Sequence, residues 1–209
     1  DKSYSMPPTP RMRRAQRRAQ IISVATCQFA QEGYHATSMD SIAASIGVSK
    51  PVLYQHFESK LDLFLTVLDE AIEKLKRMLA ALLESGHDRR ERVHSTIKSF
   101  FMFAVEDRNA FDVLMRADNE NDESRQHWRD ALDSFADTVS RSIRRDTEVT
   151  EAEANILGHA LVGMAKQAAF EWSRNRDYDP YESARLVGIL AFDGLSAIED
   201  PQVDLHLGE

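Results

Sequence analysis

Between Ile42 and Lys60 the sequence reads "IAASIGVSKPVLYQHFESK" and holds Lys50, Tyr54, Gln55 and His56 on a segment too short for an ordinary helix. Leu53 and Phe57, four apart, are the residues that turn back to a core, which leaves those four polar side chains facing outward. Side chains of these types carry donors and acceptors but form no nucleophile–base pair. On a short rigid rod they suit a groove of nucleic acid better than a catalytic centre.

Other chemistry is poorly represented. No G-x-S-x-G, phosphate-binding loop or metal-spaced His/Cys cluster occurs, so no catalytic residue, cofactor or metal is expected. The seven histidines, His35, His56, His87, His94, His127, His159 and His206, are scattered. Only His94 and His159 suggest a metal pair, if a helical domain brings them together, against the more ordinary roles of isolated histidines at the surface or in packing. Cys27 is the single cysteine, which excludes an internal disulfide and fits a reducing cytoplasm. Apolar runs are too short to span a bilayer, no apolar leader segment is visible, and a cytoplasmic protein without membrane contact is expected.

The net charge of −8 is unevenly spread. Residues 1–60 hold 8 Lys/Arg against 4 Asp/Glu, a balance of +4, and the remainder holds 18 against 30, a balance of −12. Much of the basic excess lies in "RMRRAQRRAQ", with Arg11, Arg13, Arg14, Arg17 and Arg18. A polyanion would meet one end of the molecule and be repelled by the other.

The elements that must position these residues are helical throughout, because no segment alternates as a strand does. A first helix is expected from about Arg11 to Gln31 with Gly33 as its stop, and Ser38 caps a second that turns Met39, Ile42, Ala43 and Ile46 inward. Gly47 supplies the positive φ of a sharp turn. Ser49 then caps the third helix, with Pro51 in its first turn. Ser59 opens a long fourth helix with an apolar stripe of Leu61, Leu65, Leu68, Ile72, Leu75, Leu79 and Leu82, ended by Gly86. Further helices are expected near 88–107, 109–118, 122–146, 150–176 and 179–198, the last two announced by "TEAE" and "DPYE". The fold class is therefore all-α. A flexible arm (1–10) and a helix-turn-helix domain (11–59) precede a larger helical domain (60–200) and a tail (201–209).

The stretch "GYHATSMDSIAASIGVSKPVLYQHFESKLDLF", Gly33 to Phe64, resembles the DNA-binding domain of the TetR family of transcriptional regulators, and the resemblance covers roughly residues 15–65. It implies a dimer that binds a palindromic site in double-stranded DNA. Lys50, Pro51 and Val52, behind Ser49, would approach bases or sugar edges, and Gln55 would read a base edge, an amide being able to pair with adenine. Tyr54, His56 and Lys60 would take phosphates. Thr37 and Ser38 would bind backbone phosphate through N–H and hydroxyl groups. Arg13 and Arg14 would reach the minor groove or the backbone.

The resemblance also implies dimerisation through the last two helices and an effector pocket among the middle ones. Gly158, Ala160, Gly163, Ala165, Ala168 and Ala169, then Ala184, Gly188, Ala191 and Gly194, independently suggest close helix–helix approach, between subunits or within one. For the pocket, Phe100, Phe101, Phe103, Phe111, Leu114, Met115, Trp128, Leu132, Phe135, Met164, Phe170 and Trp172 form an apolar, aromatic set, which favours an apolar effector. Within the family the segment is most similar to actinobacterial regulators of fatty-acid synthesis, which implies a long-chain acyl-CoA and leaves activation or repression open. The alternatives are a metal-sensing regulator, or a helical adaptor with the acidic domain as its docking surface.

Overall fold

The computed structural model describes residues 14–85, 88–175 and 177–198. The elements are α1 (Arg14–Ala36), α2 (Met39–Ser45), α3 (Lys50–Tyr54), α4 (Lys60–Ser85), α5 (Arg89–Glu106), α6 (Arg108–Glu120), α7 (Asp122–Asp146), α8 (Glu151–Arg174) and α9 (Pro180–Ile198). Among the described residues there is no strand, and no helix is long and apolar enough to cross a membrane. The chain divides into two compact units, the first ending at Val67 and the second beginning at Leu68, so the division falls inside α4.

In the first unit, α1 buries Ile21, Ile22, Ala25 and Phe29 along one face, against which α2 supplies Ile42 and Ala43 and the α3 segment Leu53 and Phe57. Phe64, from the first turns of α4, meets Phe29 edge-on at 4.9 Å between ring centroids. Such a pair contributes about 1 kcal/mol beyond its buried area. Gly33 interrupts α1 near its end, with φ 83° and ψ 168°, a conformation open essentially to glycine alone. Gly33 thus stops the regular part of α1, as the sequence suggests, and one further helical turn follows it to Ala36. Gly47, at φ 68°, turns α2 into α3, and the Val48 N–H closes the corner on the Ala43 carbonyl at 3.0 Å.

The second unit is organised around α5, which packs on α6, α7, α8 and α9. The reason is in the sequence: Phe100, Phe101, Met102, Phe103 and Ala104 are consecutive and all buried, so this helix is apolar around its circumference. Side chains at the helix starts fix the corners. Asp107 closes α5 and caps α6, accepting from the Ala110 N–H, while Lys74 of α4 donates to its other carboxylate oxygen at 2.8 Å. Thr150 and Glu153 form the expected capping box of α8.

One sequence expectation is corrected here. The buried face of α4 is formed by Leu63, Phe64, Val67, Leu68, Ala71, Ile72, Leu75, Leu79 and Leu83, while Leu61, Leu65 and Leu82 are half-buried. A strict alternation of three and four residues averages 3.5 per turn, and a straight helix of 3.6 drifts away from it. The small residues of α8 and α9 also divide in role. A Cβ at Gly158 would lie 2.2 Å from Ser140 Oγ and 2.6 Å from the Ala136 carbonyl, and one at Gly188 would lie 2.8 Å from His94, so both serve packing within the chain. Gly163 and Gly194 face open space.

Candidate nucleic-acid interface and effector region

The interface is built on the α2–α3 corner. Ser38 accepts from the Ser41 N–H at 3.0 Å and Ser41 answers it, a complete capping box that fixes the start of α2. Ser49 is the N-cap of α3 by backbone conformation, yet its hydroxyl makes no capping bond and stays exposed. Pro51 sets the first turn, and Leu53 and Phe57 anchor the rod to the core. What remains outside is an exposed surface of Ser49, Lys50, Pro51, Tyr54 and Gln55, with Val52 and His56 half-buried at its edges. The helix itself ends at Tyr54: Gln55 is its C-cap and His56 lies in the following turn.

Several side chains already have partners. Lys50 donates to Asp40 of α2 at 2.9 Å, and this hydrogen bond and charge raise its pKa further. Lys60 Nζ donates to the carbonyls of Tyr34 and Thr37, at 2.8 and 3.0 Å, and sits 4.3 Å from the Tyr34 ring centroid. Its ammonium thereby ties the start of α4 to the end of α1. Thr37 departs from the sequence reading. It is buried and its hydroxyl donates to the Gly33 carbonyl at 2.8 Å, so its side chain holds the bend after α1 and has no face toward a phosphate.

His56 lies near Arg14, Arg17 and Arg18, and partial burial followed by these three charges lowers its pKa. Arg18 stacks 4.9 Å from the Phe57 ring centroid, and Arg17 donates to Gln20. Sequence reasoning placed Arg17 and Arg18 in the basic run without assigning them to the site. Their spacing from Arg14, by three and four, was the available signal that all three share a helix face. Arg13 lies outside the described residues, as do the arm and the tail.

In the second unit, Phe100, Phe101, Phe103, Phe111, Leu114, Trp128 and Phe135 are all fully buried. Trp128 and Phe100 each meet Phe135 at 6.3 Å between centroids, Phe103 meets Phe111 at 6.3 Å, and Phe101 meets Trp172 at 6.1 Å. Leu132 is half-buried. Met115 and Phe170 are also half-buried, and line a cleft of about 450 Å³ between α6 and α8 together with Arg108, Arg116 and Arg174. Met164 is 37% exposed in the single chain. A small apolar cavity of about 20 Å³ lies among Leu83, Val93, Thr96, Val139, Ile143 and Leu161, none of them in the sequence set. Aliphatic helix faces look alike whether they fill a core or line a void, so no signal separated them.

His94 and His159 are not brought together. His94 packs on Gly188 of α9, where burial and then Arg90 and Arg185 lower its pKa. His159 is exposed and pairs with Asp133 of α7. Among the described residues no group of three or more His, Cys, Asp or Glu is placed to hold a metal.

A helix-turn-helix with an exposed polar third helix and a basic first helix, followed by a separate all-helical unit, defines a class of helical DNA-binding regulators. Residues 21–67 match the family described as bacterial regulatory proteins, tetR family. The chain is 32% identical over 190 residues to the HTH-type transcriptional activator FasR of Mycolicibacterium smegmatis, covering 90% of this chain and 87% of FasR. It aligns with a TetR-like transcriptional regulator from Rhodococcus sp. RHA1 at a TM-score of 0.75 and 26% identity, over 89% of this chain and 99% of the other. FadR from Bacillus subtilis, solved in complex with stearoyl-CoA, has the same fold at a TM-score of 0.72 and 20% identity, over 84% of this chain and 98% of FadR. The chain belongs to the TetR family of transcriptional regulators, a family of DNA-binding proteins rather than enzymes.

Proposed function

We propose that this regulator binds a palindromic operator as a homodimer, reads bases through the α3 segment, and changes DNA affinity when an apolar, acyl-chain effector enters its second unit. The observation that carries the DNA-reading part is the exposed Ser49–Gln55 surface beside Arg14 and Arg18, on the basic part of an otherwise acidic chain. Gln55 is exposed and its amide is free to pair with a base edge, while Tyr54, 45% exposed, is suited to a phosphate. Arg14 adds a phosphate or minor-groove contact.

The effector part is supported by the buried aromatic cluster and by the stearoyl-CoA complex of the similarly folded FadR. The dimer part is supported by Ile156 on α8 and Leu186 and Leu190 on α9, which are 70%, 56% and 67% exposed in the single chain. Helix α4 continues from one unit into the other and is the element through which an effector would alter the separation of two recognition helices from the roughly 34–36 Å of one DNA turn.

The test is DNA binding across salt concentrations, using DNA upstream of the protein's own gene and a pool of random duplexes for selection. Binding should weaken log-linearly with salt. Tyr54→Ala should weaken binding about equally on all sequences, and Gln55→Ala should relax discrimination at one operator position by about 1–3 kcal/mol. A folded protein that selects no duplex would sink the operator reading and favour an adaptor.

A further inference from the structure

The two tryptophans of the chain have opposite surroundings. Trp172 is partly exposed, and its indole N–H donates to the Tyr178 carbonyl at 2.9 Å. Trp128 is fully buried, and its indole nitrogen has no hydrogen-bond partner among the described residues. A buried donor left unpaired is unfavourable, and phenylalanine would fill an apolar site without that cost. Asn121, seven residues earlier at the cap of the same helix, repeats the pattern. Its side-chain carbonyl accepts from the Ser124 N–H, and its buried amide nitrogen has no partner among the described residues. Trp128 therefore offers a buried donor inside the second unit, and the complementary ligand is one that brings an acceptor oxygen.

The surroundings of Trp128 define the rest of that ligand. Its ring packs on Phe135, which packs on Phe100, and all three are buried, so the indole's aromatic neighbours are apolar. We propose that Trp128 is the effector's polar-group reader, its indole N–H donating to the carbonyl oxygen of an acyl ligand whose chain lies against Phe135 and Phe100. The inference rests on the reading that an acyl-chain effector enters the second unit, and adds the group that the site recognises. A thioester carbonyl and a free carboxylate offer the same acceptor chemistry.

Calorimetry on the full chain distinguishes these, with palmitoyl-CoA, its thioether analogue hexadecyl-CoA, in which CH2 replaces the carbonyl, and palmitate. The wild type should bind the thioester about tenfold more tightly than the thioether. Trp128→Phe should lose that factor on the thioester and leave the thioether unchanged. A matching loss on palmitate identifies the carboxylate as an equal source of the acceptor, and an unchanged palmitate affinity restricts the reading to the thioester. Nitrogen-15 labelling of the indoles gives a readout independent of the variant: the Trp128 N–H resonance should shift downfield with palmitoyl-CoA and not with the thioether, while Trp172 serves as the internal reference. Equal binding of thioester and thioether with an unmoved Trp128 resonance overturns the proposal and leaves the acyl effector standing. If none of the three probes binds, the effector reading fails and the proposal with it.

Discussion

At the scale of residues, cations around the recognition segment differ in what they already hold. Lys60 gives two hydrogen bonds to the carbonyls of Tyr34 and Thr37, and hydrogen bonds from a charged donor contribute about 1.5–3 kcal/mol each where they are shielded from water. Lys60 is only half-buried, so the total for Lys60→Ala is expected at about 1–2 kcal/mol of lost stability, seen as a lower melting temperature, together with weaker DNA binding. Tyr54→Ala should weaken DNA binding with the melting temperature unchanged. His56 adds a pH dependence. Its pKa in the free protein lies below the ordinary value near 6.5, so the neutral form is favoured in the fold and the associated stability is present above pH 6.5. That stability is lost as pH falls from there through the depressed folded value. A phosphate beside His56 would favour the charged ring, so operator binding should take up a proton and strengthen as pH falls below about 6.5. Operator titrations between pH 5.5 and 8 on wild type and His56→Gln check this, and a flat profile for both places His56 away from phosphate. The exposed polar set could be read from Leu53 and Phe57 alone, since two anchors four apart orient a short rod. The ties of Lys50 to Asp40 and of Lys60 to two carbonyls could not, because both partners lie on other elements.

At the scale of elements, helix starts were the most legible features. Ser38, Thr150 and Asp179 were readable as caps because capping is local, and each side-chain acceptor takes the N–H three residues on. The close approaches were less legible, because glycine in a helix has the same letter whether it faces a neighbour or solvent. Gly158 and Gly163 separate the cases. Alanine at 158 would put a methyl group into Ser140 and the backbone of α7, and overpacking of this kind costs about 1–3 kcal/mol. Alanine at 163 meets nothing within 4 Å in the single chain and gains up to about 1 kcal/mol of helix propensity. Gly158→Ala should therefore melt earlier at every protein concentration. Gly163→Ala should stabilise the isolated subunit and weaken the dimer, visible as a melting temperature that rises in dilute samples and a dissociation constant that increases. A Gly163→Ala protein with an unchanged dimer would exclude position 163 from the interface.

At the scale of the whole molecule, charge and apolar exposure point to different partners. The first sixty residues carry +4 and the rest −12, which restricts a polyanion to one part of the chain. The acidic part nevertheless exposes Ile156, Leu186 and Leu190, large aliphatic residues that water disfavours and that no neighbour in the single chain covers. A second copy of the chain covers them most economically, because an isologous contact buries the same stripe twice. In the proposed homodimer, DNA affinity follows from dimerisation. Once one half-site is engaged, the second binding event is intramolecular and gains from effective concentration, which can raise affinity by about a hundredfold or more. Leu190→Glu and Ile156→Glu alter side chains that are exposed in the subunit, so each variant should keep its helical content and its effector affinity. Sedimentation should show a monomer, and operator affinity should fall by about a hundredfold while binding to a single half-site stays close to wild type. A variant that remains dimeric with two glutamates facing each other would move the interface off this stripe, and a monomer with undiminished operator affinity would remove the dimer from the mechanism of recognition.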